Sequence, residues 1–133
     1  MNTVKKEEDR GKRQAMAQIA SIIERVNNLD NSDYADENGE FSAQETIQND
    51  PLSVEVRQGW HSVGSTCPPE EFCILLCWGG PACRIIGELD EHAQPEKPRL
   101  EYQDWGTEWT EYSLTDEEEE ALLTYCQQFY FEE

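Results

Sequence analysis

The first clear pattern in the chain is an apolar stripe with helical spacing between residues 14 and 29. Apolar side chains recur there at steps of three and four, as one buried face of an α-helix requires. The stripe consists of Ala15, Met16, Ile19, Ile22, Ile23, Val26 and Leu29. The basic stretch that precedes it is expected to fray. Ser42 followed by Glu45 is a capping-box pattern, which predicts a short helix over 42–49 that Asp50-Pro51 closes.

Beyond residue 52 the apolar period changes to two, which is typical of strands. Gly79-Gly80 and Gly106 lie between alternating segments and predict hairpin turns. The predicted strands are 53–60, then 72–78 with 81–89, then 99–105 with 107–114, and the predicted connections are 61–71 and 90–98. Thr115 with Glu118 is a second capping box and opens a terminal helix. The buried face of that helix is predicted to be Leu122, Leu123, Cys126, Phe129 and Tyr130.

These elements predict an α+β fold, with an antiparallel sheet of about four to five strands packed against an N-terminal and a C-terminal helix. Residues 1–50 supply the N-terminal helix, an acidic loop and the short helix, and residues 51–133 supply the sheet and the last helix. At 133 residues, the two parts are expected to share one core in one compact domain.

Charge narrows the class of partner. The formal net charge is −19, made of +2 over residues 1–29 and −21 over residues 30–133. A field of this sign repels nucleic acid and anionic membranes and attracts basic surfaces, so we expect no direct nucleic-acid or membrane partner. No apolar run is long enough for a membrane span and no signal peptide is recognisable, so we expect a cytoplasmic protein.

Four of the five cysteines lie within seventeen residues, at Cys67, Cys73, Cys77 and Cys83. Their spacing lacks the Cys-x-x-Cys knuckle of zinc sites. With a two-residue turn at Gly79-Gly80, Cys77 is predicted to pair with Ala82 and Cys73 with Ile86. That register places Cys73 and Cys77 on one face and Cys83 on the other, so free thiols without metal are expected.

The sequence gives only weak support for calcium binding and for catalysis. Asp36, Asn38, Gly39, Ser42 and Glu45 occupy positions of an EF-hand loop, but Tyr34 stands where the first carboxylate is required, so calcium is not expected. The only histidines, His61 and His92, belong to no catalytic motif. We therefore predict a protein that is not an enzyme and has no cofactor, with a metal-binding domain as an alternative.

The acidic connection, the second hairpin and the start of the last helix form the predicted partner-binding surface. Residues two apart on a strand face are about 6.6–6.8 Å apart, a scale comparable with the spacing of phosphates. Trp105 adds an exposed aromatic anchor among the carboxylates. The predicted site consists of Glu88, Asp90, Glu91, Glu101, Asp104, Trp105, Glu108, Glu111, Asp116, Glu117, Glu118 and Glu119.

Four segments resemble small acidic proteins encoded on proteobacterial plasmids and prophages. They are ILLCWGGPA at 74–82, IIGELDEH at 85–92, LEYQDWGTEWTEY at 100–112 and LTYCQQFYF at 123–131. The resemblance implies a mobile genetic element, phage or plasmid, and therefore the cytoplasm of a bacterial host cell. Small acidic proteins carried on such elements are often anti-restriction or anti-CRISPR factors. The function expected from it is a host-defence inhibitor and DNA mimic that blocks a basic nucleic-acid-handling surface. The alternative is a small acidic interaction or regulatory module, a monomer or a homodimer, that dimerises or docks through the N-terminal helix.

Overall fold

Three helices and one five-stranded sheet make up the computed structural model, which describes residues 3–31, 34, 39 and 41–131. In chain order the elements are α1 (Thr3–Asn28), α2 (Ala43–Gln48), β1 (Ser53–Gln58), β2 (Pro69–Cys77), β3 (Ala82–Leu89), β4 (Pro95–Gln103), β5 (Thr110–Glu111) and α3 (Asp116–Cys126). The prediction of an α+β fold with an N-terminal and a C-terminal helix is confirmed.

The sheet is a meander in which every strand pairs antiparallel with its neighbour in sequence, in the order β1-β2-β3-β4-β5. The β1–β2 loop and the β3–β4 turn therefore lie at one end of the sheet. The β2–β3 and β4–β5 turns lie at the other end, where a Cβ atom added to Gly80 would be 3.2 Å from the Cβ of Trp105.

The helix α1 is longer than predicted, because the basic stretch expected to fray is helical from Thr3 onward. Ala15, Ile19 and Ile22 are completely or almost completely buried, as the stripe predicts. The prediction is wrong for Met16, which was placed on the buried face and is 51% exposed. The core takes up the middle of the stripe, so a partner docking on this face of α1 would have to displace the sheet.

The terminal helix begins as predicted, with Thr115 and Glu118 exchanging both capping-box hydrogen bonds. It ends at Cys126, so helical periodicity no longer decides which later residues are buried. Tyr130 was predicted to be buried and is 78% exposed, whereas Phe131 returns to the core and contacts Phe72 with ring centroids 4.9 Å apart.

Tyr125, which the predicted buried face omits, is fully buried and donates a hydrogen bond from its hydroxyl to Oδ2 of Asp50 at 2.7 Å. The other oxygen of Asp50 lies 3.1 Å from a guanidinium nitrogen of Arg25. This network joins α3, the segment after α2, and α1. The capping box of Ser42 and Glu45 that starts α2 is present as predicted.

Two predicted connections are shorter in the structure. The strand β2 begins at Pro69 rather than residue 72, and β4 begins at Pro95 rather than residue 99. The second difference has a local cause: Oδ1 of Asp90 accepts the backbone N–H groups of His92 and Gln94 at 2.8 and 2.9 Å. These bonds close the β3–β4 connection into a tight turn.

The register of the β2–β3 hairpin is as predicted at Cys73 and Ile86 but not at the turn. A shift between Leu75 and Cys77 places Cys77 opposite Cys83 rather than Ala82. Because a β-bulge moves the following side chain to the other face, the expectation that Cys73 and Cys77 share a face is wrong. Cys77 packs against the core on the helix side, as Cys83 does.

Within the described residues, no helix is long and apolar enough to cross a membrane. The same residues contain no group of three or more His, Cys, Asp or Glu side chains placed to hold a metal ion. Asp36 and Asn38 of the calcium-loop pattern lie outside the described residues.

Candidate functional site

A row of three glutamates crosses the sheet at the end that carries the β3–β4 turn. Glu71 on β2 lies directly opposite Glu88 on β3, and Glu88 lies directly opposite Glu96 on β4. Directly opposite residues point to the same face, and neighbouring strands are about 4.7–4.9 Å apart. Like charges in this arrangement repel each other, so the row is unfavourable for the isolated fold.

Six carboxylates surround a groove of about 660 Å³ at this end. We call this surface the acidic end; its carboxylates belong to Glu70, Glu71, Glu88, Asp90, Glu91 and Glu96. Pro68, Pro69 and Leu89 complete the walls. Among the described residues, none of those that line the groove is basic, so this lining consists of apolar and anionic side chains.

In the part of the chain that the structure describes, one arginine and one lysine pair with glutamates of the acidic end from its border. A guanidinium nitrogen of Arg57 lies 2.6 Å from Glu71, and Nζ of Lys97 lies 3.4 Å from Glu88. Both basic side chains are more than two-thirds exposed, so solvent screens these pairs. The acidic end therefore keeps a strongly negative field, since two screened cations border six carboxylates.

The carboxylate of Asp90 is held ionised by its own turn. Backbone hydrogen bonds from Gln94 and His92 lower the pKa of Asp90, because both favour the charged form. Asp90 therefore has a structural role in the turn and contributes charge to the groove at the same time.

A second acidic surface begins where α3 meets β4 and β5. A cleft of about 810 Å³ there is lined by Lys97, Pro98, Arg99, Glu111, Tyr112, Leu114, Asp116, Glu119, Glu120 and Leu123. The carboxylates Asp116, Glu117, Glu118 and Glu119 occupy the first turn of α3, where the helix dipole favours negative charge. Glu118 also accepts the backbone N–H of Thr115, so part of this cluster has a structural explanation.

The predicted site is divided by the structure. Glu88, Asp90 and Glu91 belong to the acidic end, and Glu111, Asp116 and Glu119 line the α3 cleft. Lys97, which pairs with Glu88 and also lines that cleft, lies between the two surfaces.

The other predicted residues lie elsewhere. Trp105 is 83% exposed and Glu108 is exposed, but both lie in the β4–β5 connection, at the opposite end of the sheet. Glu101 is on the open face of the sheet, 2.8 Å from Nε of Arg84, whose guanidinium stacks 4.1 Å above the ring of Trp109.

Asp104 was expected at the surface, and this is wrong. It is 5% exposed, and its Oδ1 accepts the backbone N–H of Gly11 at 2.9 Å. An added Cβ on Gly11 would lie 2.7 Å from Asp104 Oδ2 and 2.8 Å from the ring of Tyr102. The carboxylate therefore fixes α1 against the end of β4.

Sequence reasoning missed Glu70, Glu71 and Glu96, because β2 and β4 extend into segments that were predicted to be connections, and strand pairing is what brings these residues to the groove. A signal existed for one of them. The pairing of Cys73 with Ile86, continued by two residues, places Glu71 opposite Glu88. Glu96 had no such signal, because the β3–β4 register shifts between Ile86 and Glu88, where Lys97 has a positive φ of 49°.

In comparisons with known proteins, no family model, no curated protein and no solved structure matches this chain.

Proposed function

We propose that this protein binds a basic, nucleic-acid-handling surface of another protein through its acidic end and blocks that surface without catalysis. The observation that carries the proposal is the crowding of six carboxylates around one groove. A partner rich in Arg and Lys would find there a dense anionic surface with apolar walls.

The spacing of the charges supports a surface that normally holds nucleic acid as the target. Across the strands, Glu71, Glu88 and Glu96 recur at the strand separation of about 4.7–4.9 Å. A nucleic-acid strand presents one phosphate per about 3.4 Å of helix axis. Both arrays present a line of closely spaced negative charges, so a groove that attracts phosphates would also attract the glutamates.

The energetics of the free protein point the same way. Directly opposite like charges destabilise a sheet. The hydrogen bonds of the β3–β4 turn account for the presence of a carboxylate at Asp90, but they do not account for Glu88 or Glu96. A cationic partner would neutralise this repulsion. In the free protein the repulsion within the acidic end lowers the stability of the fold. The same charges speed association with a cationic partner by electrostatic steering.

A bacterial defence complex is the proposed target because of the four sequence segments that resemble plasmid- and prophage-encoded proteins. Restriction enzymes and CRISPR effectors both hold nucleic acid in positively charged channels. In this proposal the protein is an anti-defence factor that occupies such a channel.

The test compares two variants that lose the same charge at different places. Glu91→Gln with Glu96→Gln removes two carboxylates from the acidic end. Glu24→Gln with Asp30→Asn removes two exposed carboxylates from the region of α1 and is the matched control. Each tagged protein is used to capture partners from a host that carries a restriction or CRISPR system, and captured partners are tested for displacement of DNA.

The wild-type protein should capture a basic nucleic-acid-binding protein and release its DNA. Losing two contacting charges should weaken that binding about tenfold, at roughly 0.7 kcal/mol each. The control should change it less than about twofold, because neither Glu24 nor Asp30 lines the groove and salt weakens the effect of exposed charges that make no contact. Equal weakening by both variants, or by neither, would show that the acidic end is not the binding surface.

A second readout needs no partner. Removing the Glu96 carboxylate relieves its repulsion with Glu88, so Glu96→Gln should stabilise the free protein by about 0.3–1 kcal/mol in low salt. The gain should shrink as salt rises. A loss of stability in this variant would contradict the view that the row is unfavourable in the free protein.

A further inference from the structure

The β-bulge at the end of β2 brings two cysteines together that the sequence pattern separates. Cys77 and Cys83 are direct cross-strand partners, and both pack on the helix side of the sheet. Directly opposite residues of an antiparallel pair have Cα atoms about 4.5–5.5 Å apart. A disulfide spans Cα separations of about 4.4–6.8 Å, a range that covers cross-strand partners of this kind. The two thiols are also within hydrogen-bonding reach of each other.

The environment makes the two thiols unequal. Hydrogen bonding from the Cys83 side chain and backbone N–H lowers the pKa of Cys77, with further hydrogen bonds from Gln14 and Gln18 and against the opposing effect of burial. The same contact with Cys77, together with burial, raises the pKa of Cys83. Cys77 is partly exposed and Cys83 is buried, so the thiol whose pKa is lowered is also the more accessible one.

The remaining described cysteines lack this arrangement. Burial raises the pKa of Cys73, which lies on the open face opposite Glu55 and Ile86. Burial also raises the pKa of Cys126, which lies in the core under α3. Cys67 lies outside the strands, in the β1–β2 loop, with Glu70 as a neighbour 3.9 Å from its sulfur. A reactive thiol with a second thiol directly opposite is therefore specific to the Cys77–Cys83 pair among these five.

We propose that Cys77 and Cys83 form an oxidation site that hydrogen peroxide converts to a cross-strand disulfide. The Cys77 thiolate attacks one peroxide oxygen; an S–O bond forms, the O–O bond breaks, and the hydroxide that leaves takes up a proton to become water. The sulfur of Cys83 then attacks the sulfenic sulfur, an S–S bond forms, and the S–O bond breaks with release of a second water. The two sulfurs lose two electrons in total, and one peroxide is reduced to two waters.

The site lies at the opposite end of the sheet from the acidic end, beside the β2–β3 turn that carries the exposed Trp78. The disulfide would tie the last residue of β2 to β3 and hold this turn in one conformation. The oxidation site does not involve the acidic end. A negative result in the oxidation test would therefore not contradict the proposed function, and a negative result in the binding test would not contradict the oxidation site.

The test is oxidation of the purified full chain with a small excess of hydrogen peroxide at neutral pH, followed by mass spectrometry. The intact mass should fall by about 2 Da, which is the loss of two hydrogens, and return after reduction. Cleavage after Trp78 separates the two cysteines, so a linked pair of peptides containing Cys77 and Cys83 should appear only without reductant. Addition of about 32 Da at Cys77 with no linkage, or a linkage between other cysteines, would overturn the proposal.

Variants complete the experiment. Cys77→Ser and Cys83→Ala should both abolish the 2 Da loss, whereas Cys73→Ser, the matched control, should keep it. Circular dichroism shows whether each variant is folded, and peptide mapping of the wild-type chain decides the linkage even if Cys83→Ala does not fold. Retention of the mass loss in folded Cys77→Ser would also refute the assignment.

Discussion

The hydrogen bond from Tyr125 to Asp50 offers the sharpest test of how the helices are held together. Tyr125→Phe removes the hydroxyl that lies 2.7 Å from Oδ2 of Asp50 and leaves the fully buried ring in place. A hydrogen bond to a charged group contributes about 1.5–3 kcal/mol. Because Asp50 is one-fifth exposed and keeps its contact with Arg25 at 3.1 Å, we expect the lower end, about 1.5 kcal/mol.

The assay is chemical denaturation together with a thermal scan. A loss of about 1.5 kcal/mol should lower the Tm of a chain of this size by roughly 5–7 °C. The same substitution is then made in an Asp50→Ala background, where the Tyr125 hydroxyl is already without its acceptor. There Tyr125→Phe should cost close to nothing, which gives a coupling energy of about 1.5 kcal/mol. An equal cost in both backgrounds would refute the claim that Asp50 is the energetic partner of Tyr125.

Three other outcomes follow from the same structure. Gly11→Ala should destabilise the protein by about 1 kcal/mol, because the clash with Asp104 outweighs the higher helix propensity of alanine; a rise in Tm would contradict this. Thr115→Ala should cost about 1 kcal/mol in denaturation, since the backbone N–H of Glu118 loses its cap; no change would show that the capping box is not needed. Burial raises the pKa of Tyr125, so the folded protein keeps a proton that the unfolded chain releases near pH 10. The stability from this group is complete below that pH and falls above it by up to about 1.4 kcal/mol per pH unit, and Tyr125→Phe should show a correspondingly weaker alkaline dependence.

The acidic end also changes how the charge of the chain is interpreted. The net charge of −19 describes the whole sequence, but the structure places its carboxylates in different roles. Asp104 holds α1, Glu118 caps α3, and Glu101 pairs with Arg84. Six other carboxylates converge on one groove, and this density of negative charge is why the proposed partner surface is there.

Local patterns were enough to predict the helices α2 and α3, because a capping box acts within four residues. They were enough for the fold class too, since the change from a helical to a strand period is visible along the chain. The boundaries of β2 and β4 were not predictable from period alone, because Pro69 and Pro95 are residues that usually indicate loops.

The sequence by itself therefore determined the order of helices and strands, the α+β class and the negative sign of the net charge. Only the tertiary structure decided which side chains meet. The burial of Asp104 depends on α1 crossing the end of β4, and the glutamate row depends on the registers of three strands. The contact between Cys77 and Cys83 depends on one bulge. These are contacts between distant segments or consequences of a single-residue shift in register, and alternation along one strand contains no information about either.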